Sequence, residues 1–223
     1  MLPDIVCFCH LRWNFVYQRP QHLMSRFAGC QRVFLIEDPV FDAPSAYNEI
    51  YQDQSSGVWV GVPHLPSGLQ PDEVILKQKV LLQMAMYLHK VNKYILWYYS
   101  PMALAFSGTL TPELIIYDCM DELSAFKNAP PALQQLERQL LGRADIVFTG
   151  GYNLYEAKKN KHHNIYPFPS SIDKEHFAMA RRHCMDHDDQ KNIPSPRIGF
   201  YGVIDERFDI DLLKEAATIL YFR

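Results

Sequence analysis

Residues 114–149 read LIIYDCMDELSAFKNAPPALQQLERQLLGRADIVFT, and this stretch decides the fold class. Leu114–Tyr117 and Ile146–Thr149 are short apolar runs that predict two strands. Between them, Pro131–Gly142 predicts a helix, because its leucines recur on one face and a glycine ends it. A strand, a helix and a strand in this order are typical of parallel pairing through a right-handed crossover.

The same alternation extends in both directions along the chain. Further strands are predicted at Ile5–Phe8, Val33–Ile36, Tyr94–Tyr99 and Asn164–Phe168, with a half-exposed strand where Val58, Val60 and Val62 alternate with other residues. Further helices are predicted at Pro20–Ala28, with Gly29 as a left-handed cap, at Pro71–Val91 and at Tyr152–Lys159. The pattern predicts an α/β fold with a doubly wound, mostly parallel, Rossmann-like sheet over residues 1–178.

The composition changes after this first domain. Residues 179–196 are polar and proline-bearing, as in a linker. Residues 197–223 then begin a new strand-turn-helix unit, which cannot bury its own apolar faces. We therefore interpret them as the first βα unit of a truncated second domain.

Charge and composition exclude several classes of protein. Lysine and arginine number 22 against 25 acidic residues, which gives a net charge of −3 and argues against a nucleic-acid partner. We find no leader or membrane-spanning run and expect a cytoplasmic protein. The five cysteines follow neither a disulfide nor a zinc pattern, so we expect reduced, inert thiols.

Candidate ligand-binding residues follow the first strand, because doubly wound sheets bind ligands at the carboxyl ends of their strands. Arg12, Trp13 and Arg19 precede the helix at Pro20, whose backbone amides are suited to an anion. The alternative is a structural loop in which the arginines form salt bridges and Trp13 covers the sheet.

Three carboxylates, Asp118, Asp121 and Glu122, follow the strand Leu114–Tyr117. Like charges this close raise one another's pKa, and a poised carboxylate suits general-base catalysis. The alternative is that the aspartates cap the following turn.

Other motifs carry weaker signals. Gly150-Gly151 fits a tight turn, and no G-x-G-x-x-G or P-loop motif supports a nucleotide cofactor, so we predict no cofactor and no metal. The basic run 158–163 fits a solvated helix end, with peripheral contact to an anionic membrane as the alternative.

Six ordered blocks together resemble a known family: HLRWNFVYQRPQHLMSRFA, ILWYYSPMALAF, IIYDCMDELSAFKNAPP, ADIVFTGGYNLYEAK, FPSSIDKEHF and PRIGFYGVIDERFDIDLL. They are similar to the N-terminal part of bacterial family-four-like GT-B glycosyltransferases, close to those of teichuronic acid and cell-surface polysaccharide synthesis. Such enzymes have two Rossmann-like domains, of which the first receives the acceptor and the second holds the nucleotide-sugar.

The resemblance implies a retaining, metal-independent glycosyl transfer from a nucleotide-diphospho-sugar to a cell-surface polysaccharide or lipid-linked acceptor. It implies acceptor-binding roles for Arg12, Trp13, Arg19, Ser100 and Glu122, with Trp13 stacking on a sugar ring. It implies a catalytic role for Asp121 or, second, Asp118, and donor-binding roles for Gly199, Gly202 and Arg207. The alternative function is a non-catalytic acceptor-binding module, or a subunit that needs a separate donor-binding chain.

Overall fold

A computed structural model describes residues 2–182, 186–194, 197, 199–200, 202, 204 and 208–221. Residues 220 and 221 are described by their backbone alone. Its contacts divide the chain into two compact units, one ending at Ser171 and the other beginning at Ile172.

The first unit contains one eight-stranded sheet. Its strands are β1 (Asp4–Cys9), β2 (Val33–Glu37), β3 (Tyr47–Gln52), β4 (Trp59–His64), β5 (Tyr94–Tyr98), β6 (Leu114–Cys119), β7 (Ile146–Thr149) and β8 (Ile165–Pro167). Their order is β3-β4-β2-β1-β5-β6-β7-β8, and every pair is parallel except β3 and β4. The chain winds outward from β1 in both directions, which confirms the predicted doubly wound sheet.

Helices cover both faces of this sheet. The helices of the first unit are α1 (Arg19–Ala28), α2 (Pro71–Leu88), α3 (Leu104–Ser107), α4 (Leu133–Leu141) and α5 (Tyr152–Lys158). Residues of α1 pack on one face and residues of α2, α3 and α4 on the other. Because β1 is covered on both faces, all six of its residues are buried.

Three local expectations differ from the structure. Gly29 has φ −70° rather than a left-handed conformation, because the turn after α1 stays right-handed. The strand containing Val60 is mostly buried rather than half-exposed, since β2 and β3 flank it. The strand β3 itself was not predicted.

The buried cysteines match the expected inert thiols. Cys7 and Cys9 lie in the same apolar cluster, and both are free. Burial is the largest cause that raises the pKa of Cys9, to about 12. Cys30 is free and exposed, and Cys184 lies outside the described residues.

The second unit contains two α-helices in its described part, α6 (Lys174–Ala178) and α7 (Ile210–Tyr221), and a 3-10 helix, Met179–Arg181, follows α6. The expected strand near residues 197–201 falls partly outside the described residues. Among the helices described, none is both long and apolar enough to cross a membrane.

Candidate functional site

The candidate site lies at the carboxyl ends of four neighbouring strands in the first unit. His10 follows β1, Ser100 lies just beyond β5, Met120 follows β6 and Gly150 follows β7. Because these strands are adjacent and parallel, their carboxyl ends share one edge of the sheet.

Asp118 lies inside β6, not beyond its end, and its side chain has no exposed surface. Arg19, itself 8% exposed, places Nε 3.0 Å from both Asp118 carboxylate oxygens. Burial is the largest influence on the pKa of Asp118 and raises it, while the hydrogen bond and the charge of Arg19 oppose that rise. The pKa is raised as expected, but by burial rather than by neighbouring carboxylates.

Arg19 also connects α1 to the segment that follows the edge strand β8. Its Nη1 donates to the carbonyl oxygen of Phe168 at 2.6 Å, and its guanidinium lies 5.3 Å from the centre of the Phe168 ring. Nε and Nη1 of Arg19 therefore donate within the protein, and Nη2 lies 2.9 Å from Asp118 Oδ1.

Gln21 is a site-supporting residue that the sequence reasoning missed. It is almost fully buried, its Oε1 accepts from the backbone N–H of Gln18 at 3.0 Å, and its Nε2 donates to the carbonyl of Trp13 at 3.0 Å. A glutamine two residues into a helix gives no distinctive sequence signal for this bridge.

Arg12 and Trp13 share one partner, Glu37 at the end of β2. Arg12 Nη1 lies 2.8 Å from Glu37 Oε2, and the backbone N–H of Trp13 donates to Glu37 Oε1 at 2.7 Å. Trp13 is 7% exposed and so leaves little ring face open to a ligand. These contacts are those of the alternative interpretation, a structural loop; the acceptor-binding roles of both residues stay predictions.

Glu122 pairs with Lys158, whose Nζ lies 2.9 Å from Glu122 Oε2 and 2.8 Å from Glu137 Oε1. Burial is the largest single influence on the pKa of Glu122 and acts to raise it, but the hydrogen bonds from Lys158 and Ser124 and the charges of Lys158 and Lys161 together outweigh it, so the pKa is lowered. Lys158 is 1% exposed, so the basic run 158–163 begins in the interior, whereas Lys159, Asn160, Lys161 and His163 are exposed, as predicted for a solvated helix end.

Asp121 is exposed, and its charge acts on His10, which the sequence reasoning did not select as a site residue. Within the described residues, Nδ1 of His10 is enclosed and has no hydrogen-bond partner. Burial lowers the pKa of His10, while the charge of Asp121 acts in the opposite direction. A histidine directly after the first strand was the available signal.

The loop that carries Asp121 packs against Gly150. A Cβ added at Gly150 would lie 2.8 Å from the carbonyl oxygen of Met120, closer than real Cβ contacts, so the approach requires glycine. At Gly151, in contrast, an added Cβ would meet no atom within 4 Å.

Ser100 is buried, and its Oγ accepts a hydrogen bond from the backbone of Met102 at 3.4 Å.

The residues predicted to bind the donor belong to the second unit or lie outside the described residues. Gly202 has φ +148°, a conformation that favours glycine, and Gly199 has open space around its Cα. Arg207 lies outside the described residues. Across the described part of the chain, no three His, Cys, Asp or Glu side chains are grouped to hold a metal ion.

No protein-family model and no curated protein sequence matches the chain. Solved structures do match. A sucrose-phosphate synthase from Thermosynechococcus elongatus aligns with TM-score 0.54 and 9% identity, covering 81% of this chain and 52% of that one. A trehalose-6-phosphate synthase from E. coli, solved with UDP-2-fluoro glucose, aligns with TM-score 0.54 and 10% identity, covering 82% and 52%.

The fold is that of half a GT-B glycosyltransferase. The chain spans about half the length of these two structures. At this level of identity the likeness shows the architecture, which confirms the fold class expected from the sequence.

Proposed function

We propose that this chain is the acceptor-binding part of a glycosyltransferase that moves a sugar from a nucleotide-diphospho-sugar to a hydroxyl group. The observation that carries the proposal is a half-buried His10 with an enclosed, unpartnered Nδ1 at the carboxyl edge of a GT-B-type sheet, together with the exposed Asp121, whose charge acts on it. Ligands of doubly wound sheets bind at this edge.

The pair is suited to receiving a proton. With its pKa lowered by burial, His10 is neutral near pH 7. Because Nδ1 is enclosed, we assign to Nε2 the lone pair that accepts the proton. As the acceptor oxygen attacks the anomeric carbon, the bond from that carbon to the diphosphate breaks and the hydroxyl proton passes to the imidazole. The Asp121 carboxylate then stabilises the imidazolium that forms.

Asp118 has a different role in this scheme. Its carboxylate is enclosed with Arg19, so it positions α1 and the strand end rather than reaching a substrate. The sequence-based preference for Asp121 over Asp118 is therefore retained.

The finer parts of the proposal rest on the sequence resemblance. The acceptor is a cell-surface polysaccharide or a lipid-linked glycan, the enzyme works in the cytoplasm or at the inner membrane surface, and the reaction needs no metal. Gly199, Gly202 and Arg207 contact the donor diphosphate.

The test is turnover of nucleotide-sugars by the chain joined to a donor-binding GT-B half, measured as nucleoside diphosphate released in the presence of glycan acceptors. We expect acceptor-dependent release that falls by about 10²–10⁴-fold in His10→Ala and by at least tenfold in Asp121→Asn. His163→Ala is the matched control, because His163 is exposed and lies in the basic run after α5.

Undiminished turnover in His10→Ala would contradict the proposed base. Glycan binding without turnover of any nucleotide-sugar would favour the alternative, a non-catalytic acceptor-binding module.

A further inference from the structure

Two aromatic side chains beside Arg19 are exposed although they lie next to the candidate site. Tyr17 is 59% exposed and precedes Arg19 by two residues, and Phe168 is 50% exposed and contacts it. An exposed aromatic ring offers a large apolar area of fixed shape to a ligand.

The ring of Tyr17 is held in place by the first turns of α1. It packs edge-to-face on His22, with 4.6 Å between the ring centres and an interplanar angle of 89°. Its hydroxyl lies 3.4 Å from Ser25 Oγ. A ring that is already fixed loses little conformational entropy when a ligand stacks on it.

Phe168 is also held in place by its neighbours. Its ring lies 5.5 Å from that of Phe148, and the Arg19 guanidinium lies over it at 5.3 Å. Its carbonyl accepts from Arg19, so ring and backbone are anchored together.

We infer that Tyr17 and Phe168 form an aromatic surface that binds the sugar rings of a glycan, with the C–H face of a pyranose lying on each ring. This inference rests on the proposed function and deepens it, since it makes the acceptor an oligosaccharide contacted over more than one residue. It also transfers to Tyr17 and Phe168 the stacking role expected of Trp13, whose ring is buried.

A glycan fits this surface better than a lipid. Membrane-inserting aromatic residues act together with cations that attract anionic headgroups. Arg12 and Arg19, the arginines that flank Tyr17 in the sequence, are each paired with a carboxylate instead.

The test is binding without any nucleotide-sugar, so that it does not depend on turnover. Four trisaccharides serve as probes: maltotriose, mannotriose, galactotriose and N,N′,N″-triacetylchitotriose. Saturation-transfer NMR and calorimetric titration detect contact and affinity. We expect at least one to bind, and we expect Tyr17→Leu and Phe168→Leu each to weaken it by about two- to tenfold.

Tyr17→Phe keeps the ring and should restore the affinity, which a merely structural loss would not. Tyr87→Leu is the control, because Tyr87 is 84% exposed on α2 and should not affect binding. Binding of none of the four probes, or equal affinity in Tyr17→Leu and the unaltered chain, would overturn the inference.

Phosphatidylglycerol vesicles test whether the surface binds lipid instead. Sedimentation with vesicles that depends on Tyr17, without glycan binding, would assign the surface to lipid and reject the inference. Glycan binding without nucleotide-sugar turnover would support the inference while contradicting the proposed catalytic function, so the two failures are distinguishable.

Discussion

Removing the charge of Asp118 should destabilise the first unit strongly, because it leaves the guanidinium of Arg19 buried and unpaired. Both side chains are nearly inaccessible, at 0% and 5% exposure, and the guanidinium contacts both carboxylate oxygens. Breaking a buried pair from one side costs about 3–5 kcal/mol. For a unit of this size, that corresponds to a fall in Tm of roughly 6–20 °C.

A double-mutant cycle with Asp118→Asn, Arg19→Met and both together separates the pair from its surroundings. Urea unfolding followed by tryptophan fluorescence gives the free energy of unfolding of each variant. Because the double variant leaves neither charge buried alone, its loss should be smaller than the sum of the two single losses by about 2 kcal/mol or more.

The exposed pair Lys93–Glu113, with 4.0 Å between Nζ and Oε1, is the control. Its side chains are mostly in solvent, so Lys93→Ala should change the unfolding free energy by at most about 0.5 kcal/mol. Strictly additive losses at Asp118 and Arg19, or a loss below about 1 kcal/mol for Asp118→Asn, would refute the reasoning.

Two further predictions concern the loop that carries Asp121. Gly150→Ala should destabilise the chain by about 1–3 kcal/mol and shift the backbone amide resonance of Met120, whereas Gly151→Ala should do neither; equal effects in urea unfolding would contradict the packing argument. In an NMR titration, His10 should protonate below pH 6.5, because burial lowers its pKa in the folded chain. The unfolded chain then binds a proton more readily than the folded chain. The contribution of His10 to the free energy of unfolding is therefore complete above pH 6.5 and declines as the pH falls towards the folded-state pKa. Asp121→Asn should lower that pKa further, and an unchanged value would show that the two groups do not interact.

The sequence predicted the parallel strands well, because strands buried on both faces are continuous apolar runs. The edge strand β3 (YNEIYQ) was missed, since a polar, half-exposed strand lacks that signal. The strand β6 was predicted to end at Tyr117, because an aspartate usually marks a turn. Its buried partner Arg19 allows Asp118 to remain within the sheet.

The sequence predicted that the candidate residues lie at the carboxyl edge of the sheet, and binding of a ligand there stays a prediction. The environment of each carboxylate after Tyr117 could not be predicted: Asp118 contacts Arg19, Glu122 contacts Lys158, and Asp121 is exposed. These ion pairs join residues from separate elements, which local spacing cannot specify. His10 was missed because its distinguishing property is an enclosed nitrogen, visible only in three dimensions.

The contacts of Arg19 also impose an order on folding during synthesis. Its partners are 99 residues away at Asp118 and 149 residues away at Phe168. The contacts of the first helix with Asp118 and Phe168 therefore cannot form until nearly the whole unit has emerged from the ribosome, whereas its packing on β2 involves neighbouring sequence.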